Sequence, residues 1–80
     1  MYYYVYILHS INHPEKHYTG FTTDYNKRIV KHNNGEVTHT SKYKPWKLQT
    51  IIAFTEKEKA TAFEKYLKSH SGRAFAKKHF

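Results

Sequence analysis

Cysteine is absent from the chain, which excludes a disulfide framework and every Cys-based zinc module. Aliphatic bulk is scarce: Leu, Ile, Val and Phe make up a fifth of the 80 residues. With a net charge of +8, that share sits at the edge of compositions that stay disordered. Long apolar runs are missing too. No segment approaches the roughly 20 residues of a membrane span, and the stretch Met1 to His9 lacks the basic start and the length of a secretory signal. A soluble, cytoplasmic chain forming one domain over residues 1–80 is expected. Aromatics offset these shortages, because Phe, Trp and Tyr account for 18% of the residues and each ring can bury roughly 150 to 250 Å². Only six Asp and Glu stand against 14 Lys and Arg, an imbalance that favours an anionic partner, nucleic acid first among them.

Tyr2 to His9 is almost wholly β-branched or aromatic and is followed by turn chemistry through Pro14, so it reads as a strand. Tyr3, Val5 and Ile7 share one face; Tyr2, Tyr4, Tyr6 and Leu8 share the other. His17 to Thr22 is a second short strand, paired antiparallel, with Tyr18 and Gly20 on one face. Thr22, Thr23 and Asp24 offer N-caps for a helix over Tyr25 to Asn33, where Tyr25, Ile29 and His32 form a stripe and Asn34-Gly35 ends it. Glu36 to Lys44 has no periodicity and reads as an exposed basic loop closed by Pro45-Trp46. Lys47 to Phe54 alternates as a mostly buried third strand. Thr55 to Glu58 matches a capping box opening a helix from Glu56 to Ser69, with Ala60, Phe63 and Leu67 facing inward. Ser71-Gly72 should break it before a last helical stretch from Arg73 to Phe80. The order is β-β-α-β-α-α, an α+β class fold with a three-stranded antiparallel sheet flanked by helices.

Tyr4-Val5-Tyr6 in the first strand, Tyr18-Thr19-Gly20 in the second, Arg28 and His32-Asn33 on the first helix and Glu64 on the second long helix make a spaced set. It resembles the GIY-YIG nuclease superfamily, especially small stand-alone bacterial members similar to the nuclease domain of excinuclease C. The resemblance spans essentially the whole chain. Tyr4 stands where the first motif has Gly and Thr19 where the second has Ile, while both motif tyrosines, Tyr6 and Tyr18, are kept. The resemblance implies a metal-dependent endonuclease that hydrolyses DNA phosphodiester bonds, with Glu64 as ligand of a single Mg²⁺ or Mn²⁺.

Phosphodiester hydrolysis needs a proton taken from the attacking water, stabilised charge on the phosphorus oxygens and a stabilised leaving oxygen. So few carboxylates argue against a two-metal cluster and for one ion keeping several waters and phosphate oxygens. A phenol with an ordinary pKa of about 10 is ionised about one part in a thousand at pH 7, so a tyrosine base needs help from neighbours. Tyr6 is accordingly assigned as general base assisted by His32, Tyr18 as the group orienting water or phosphate, and Arg28 as the stabiliser of transition-state charge. Tyr6 and Tyr18 are interchangeable in these roles.

Other signals are weaker. Pro14 denies His13 and His17 the helix that would make them a zinc pair. Gly20 marks a place where a phosphate or another backbone comes close. Lys42, Lys44, Lys47, Lys68, Arg73, Lys77 and Lys78 are candidate phosphate contacts. Glu64 also has an ordinary reading as the i,i+4 partner of Lys68. Two other functions compete with the enzyme: a non-catalytic nucleic-acid-binding module of the same fold, and a protein-interaction module.

Overall fold

The structure, a computed structural model, describes residues 1–80. Strands β1 (Tyr3–Ser10), β2 (His17–Thr22) and β3 (Trp46–Phe54) form one antiparallel sheet in the order β2-β1-β3. Helix α1 (Tyr25–Asn33) and the single turn α2 (Thr38–Ser41) follow β2, and α3 (Lys57–Leu67) and α4 (His70–His79) follow β3. The chain is therefore a small α+β fold with a three-stranded antiparallel sheet flanked by helices.

The central strand explains why so little aliphatic bulk suffices. Val5, Tyr6, Ile7 and Leu8 are all buried, because each face of β1 is covered by a different layer. Val5 and Ile7 pack with Ala60 and Leu67 of α3, joined by Phe21, Phe54, Phe63 and Phe75. On the other face Tyr6 and Leu8 pack with Trp46, flanked by Tyr18, Ile29, Tyr43 and Leu48. Period-two alternation on β1 thus feeds two thin cores, and aromatic rings supply most of their volume.

Helix α1 starts on Asp24, whose carboxylate accepts from the Lys27 N–H at 3.1 Å. It stops at Gly35, whose φ of 76° is the left-handed conformation that glycine adopts freely. The Gly35 N–H donates to the His32 carbonyl at 3.2 Å and the Glu36 N–H to the Lys31 carbonyl at 3.0 Å, the paired bonds of a Schellman stop.

Several sequence expectations are corrected. The stretch from Glu36 to Lys44 is not simply an exposed loop: it contains α2, and Thr40 within it is fully buried. A short polar turn has no periodicity to announce it, and its burial comes from what α1 and β3 place over it. The third strand begins at Trp46 and is an edge strand, half covered rather than mostly buried. Its alternation slips once, since Ile7 pairs with Thr50 but Leu8 with Leu48. The extra residue, Gln49, is a β-bulge that puts Leu48 on the Tyr6 face while Ile52 and Phe54 pair with Val5 and Tyr3 on the other.

The capping box at Thr55 does not form. Helix α3 begins one residue later, with Glu56 at its N-cap and no side-chain capping bond. The break between the last helices falls at Lys68 and Ser69, not at Ser71-Gly72, because the Ser69 hydroxyl caps α4 by accepting from the Gly72 N–H at 3.1 Å. Gly72 serves close packing instead: a Cβ there would lie 2.7 Å from Leu67 Cα and would overlap the Tyr66 carbonyl.

Candidate active site

The pairing of β1 with β2 sets Tyr6 opposite Gly20 and Leu8 opposite Tyr18, which brings both motif tyrosines onto one face, their ring centroids 6.2 Å apart. Helix α1 crosses that face and adds His32, whose ring lies 4.9 Å from that of Tyr18 and 5.8 Å from that of Tyr6. The Tyr6 hydroxyl and His32 Nε2 are hydrogen-bonded at 2.9 Å in the interior. Gly20 makes this approach feasible, because a Cβ at that position would collide with the Tyr6 phenol.

His32 is held from its other side as well. Its Nδ1 is 2.7 Å from the Thr40 hydroxyl oxygen, and the Thr40 carbonyl accepts from the Trp46 indole N–H at 2.8 Å. The neighbouring Asn33 clamps the start of β3: its side-chain oxygen accepts from the Trp46 N–H at 2.6 Å and its amide donates to the Trp46 carbonyl at 3.1 Å. A buried polar chain therefore runs from β3 through α2 and α1 to the Tyr6 hydroxyl. Thr40 and Trp46 were not among the residues singled out from sequence. Thr40 lies in a stretch without pattern, and a lone tryptophan reads as core whether or not its N–H anchors something.

Burial pushes the Tyr6 pKa above its ordinary 10.0, although the nearby Arg28 guanidinium pulls the other way; the phenol of Tyr18 and the charge of Glu64 push it up as well. Neighbours were expected to make the phenolate easier to reach. Arg28 does so, but loss of water outweighs it, and Tyr6 is protonated at neutral pH. Burial also depresses the His32 pKa below 6.5, with the Arg28 charge adding to the effect, so His32 is neutral.

Arg28 carries an unusual signal. Its Nε is buried and has no hydrogen-bond partner, in a molecule whose other buried side-chain polar atoms are satisfied. An orphaned guanidinium donor beside a tyrosine hydroxyl suits an incoming anion oxygen. Glu64, on α3, is about three-quarters covered and ion-paired with Lys68 at 3.2 Å, and the Lys68 ammonium lies 5.9 Å from the Tyr18 ring centroid. Both the ordinary reading of Glu64 and its electrostatic reach to Tyr6 are therefore present together.

No group of three or more His, Asp and Glu side chains is placed to enclose a metal ion. A single carboxylate fits a hard cation that keeps most of its shell as water and phosphate oxygens, and does not fit a protein-enclosed zinc.

The basic candidates divide. Lys68 lies at the site and shares an open cleft with Arg73, Lys77 and Lys16. Lys42, Lys44 and Lys47 are exposed on the stretch that leads from α2 into β3, with the Lys42 ammonium over the Tyr43 ring at 5.6 Å. No helix is long and apolar enough to cross a membrane.

A family model described as the GIY-YIG catalytic domain matches residues 2–78. The UPF0213 protein BH0048 of Halalkalibacterium halodurans is 39% identical over 74 residues, which is 91% of this chain and 77% of that protein. The solution NMR structure of the UPF0213 protein BH0048 from Bacillus halodurans is similar with a TM-score of 0.57 at 35% identity, covering 95% of this chain and 82% of that one.

Proposed function

Because the chain belongs to the GIY-YIG catalytic-domain family, whose domains are nucleases as a rule, we propose that it is a metal-dependent endonuclease hydrolysing DNA phosphodiester bonds, with structured DNA of repair or recombination as its substrate. The observation that carries this reading is the buried, partnerless Nε of Arg28 beside the Tyr6 hydroxyl. Leaving such a donor unsatisfied costs about 1 to 3 kcal/mol, a cost that a phosphate oxygen would remove.

Tyr6 acts as a relay rather than as a standing phenolate. Its oxygen takes a proton from the attacking water while its own proton passes along the 2.9 Å bond to His32 Nε2, and the hydroxide so formed attacks phosphorus. Neutral His32 is the right form to receive that proton, and its depressed pKa ensures that the form is present at pH 7. Arg28 meets the charge that grows on the non-bridging oxygens. Tyr18, packed on the His32 ring, orients the water or the phosphate. Glu64 would hold the single Mg²⁺ or Mn²⁺, which when bound stabilises the leaving oxygen. Lys68 then exchanges the Glu64 carboxylate for a phosphate, and Arg73 with Lys42, Lys44 and Lys47 steadies the flanking backbone.

A second reading, a nucleic-acid-binding module without turnover, draws on the Glu64–Lys68 ion pair, which neutralises the one carboxylate of the site. The test compares the natural protein with Glu64→Gln on branched, nicked, single-stranded and plain duplex DNA, with Mg²⁺, with Mn²⁺ and with chelator. Cleavage that disappears with the substitution and with chelator, while binding survives, supports the enzyme. Equal cleavage by both proteins, or none by either, removes it.

A further inference from the structure

The hydrogen-bond accounting around His32 has only one complete solution. Tyr6 is buried, and its hydroxyl proton has the His32 Nε2 as its acceptor at 2.9 Å, the one hydrogen-bond partner within reach of that oxygen; the nearby Arg28 can only donate. Nε2 must then be the unprotonated nitrogen, and the ring proton sits on Nδ1, aimed at the Thr40 hydroxyl oxygen 2.7 Å away. The Thr40 hydroxyl in turn donates to the Val37 carbonyl at 3.3 Å. In the opposite arrangement Thr40 would donate to Nδ1 and Nε2 would donate to Tyr6, leaving the Tyr6 proton buried without an acceptor.

We propose that Thr40 is a positioning residue that fixes the tautomer of His32, holding the proton on Nδ1 so that Nε2 stays open to the Tyr6 hydroxyl. The placement of Thr40 is itself well secured. It is wholly buried, its carbonyl is anchored by the Trp46 indole, and Asn33 ties the same tryptophan to α1. The short helix α2 thus acts as a backstop for the imidazole, in the way an acceptor behind a histidine sets which ring nitrogen carries the proton. The catalytic consequence rests on the nuclease reading, since only there does Nε2 receive the Tyr6 proton; the tautomer does not depend on it.

Nitrogen-15 NMR of the His32 ring in the metal-free protein near pH 7 tests the assignment without any cleavage assay. The natural protein should show a protonated Nδ1 and a pyridine-type Nε2. Thr40→Val, which keeps the shape and removes the hydroxyl, should move the proton to Nε2 in a large share of molecules. Thr40→Ser should restore the natural pattern, and Tyr6→Phe should leave it in place because Thr40 still accepts from Nδ1. A natural protein with Nε2 protonated overturns the proposal, as does a Thr40→Val spectrum matching it or a proton that moves in Tyr6→Phe. Where Thr40→Val is too unstable to record, the natural and Tyr6→Phe spectra alone decide. If the spectra come out as expected and the natural protein cleaves no DNA, the Thr40 assignment stands and the nuclease reading falls. If it cleaves, Thr40→Val should lower kcat with little change in KM, and Thr40→Ser should recover it.

Discussion

Gly20 on β2 lies directly opposite Tyr6 on β1, and a methyl group on it would sit 2.9 Å from Cε1 of the phenol and closer still to its oxygen. The Tyr6 ring is only 1% exposed and has nowhere to swing. Gly20→Ala should therefore cost about 1 to 3 kcal/mol through overpacking, read as a lower urea midpoint with an unchanged slope. It should also displace the Tyr6 hydroxyl from His32 and reduce cleavage. An alanine variant as stable and active as the natural protein would mean that the phenol is not held where the structure puts it.

The two tyrosines differ in what their hydroxyls touch. Tyr6 donates into a buried imidazole, whereas Tyr18 packs its ring against that of His32 at a 58° tilt without a hydrogen bond to it. Tyr6→Phe should lower kcat by about 10²- to 10⁴-fold, the usual contribution of a general base, while DNA binding is kept. Tyr18→Phe should have the smaller effect. Near-full cleavage by Tyr6→Phe together with loss in Tyr18→Phe would exchange their roles.

Most of the scaffold was legible because its signals are local. The alternation of Val5 and Ile7 against Tyr6 and Leu8 divides the two cores, and Asp24 and Gly35 mark the ends of α1 where the structure has them. What escaped depends on long-range neighbours. The bulge at Gln49 exists only relative to Leu8, and Thr40 is buried only because α1 and Trp46 close over it. The raised Tyr6 pKa is illegible in the sequence for a related reason: residue types name the charges that favour phenolate, but the extent of burial that outweighs them is a property of the assembled sheet. The grouping of Tyr6, Tyr18, Arg28, His32 and Glu64 comes from family resemblance and not from periodicity; the rings that the structure packs together are those of Tyr6, Tyr18 and His32.

Stability should fall on the acid side. The folded-state pKa of His32 lies below the unfolded 6.5, so the unfolded chain binds the extra proton first. The contribution of neutral His32 is fully present above pH 6.5 and is lost as pH falls toward the lower folded value. Tyr6 gives the mirror effect, since its folded pKa lies above 10.0 and its contribution fades as pH rises through that range. Thermal melts from pH 4 to 7 should show the acid loss in the natural protein and a flatter profile in His32→Gln. Parallel profiles would remove His32 as its source. Cleavage should show an acid limb with a midpoint below 6.5, because the relay needs neutral His32.

Gly72 offers a test of how α4 seats against α3. A side chain there meets backbone rather than a flexible tip, being 2.7 Å from Leu67 Cα, so helix propensity and packing oppose one another. Alanine normally gains about 1 kcal/mol over glycine in a helix interior. Here Gly72→Ala should instead destabilise, by more than that gain, and loosen Phe75 from its contacts with Phe63 and Tyr66. Equal or greater stability in an equilibrium melt would show that α4 can shift without loss.

Lys42, Lys44 and Lys47 carry three exposed charges on one stretch, and their worth in binding can be separated from the chemistry of the pocket. Each phosphate neutralised on duplex DNA contributes about 0.9 to the slope of log affinity against log salt. Replacing all three by Gln should flatten that slope by close to three units and weaken binding at low salt, without moving the pH dependence of cleavage per bound complex. A smaller change would place the DNA along the other basic surface, where Lys68, Arg73 and Lys77 line the open cleft. Binding that does not weaken as salt rises would reject both nucleic-acid readings, because a chain of net charge +8 that meets a polyanion must release counterions. The exposed Tyr2, Ile11, Val30 and Tyr66 would then be the surface to probe for a protein partner.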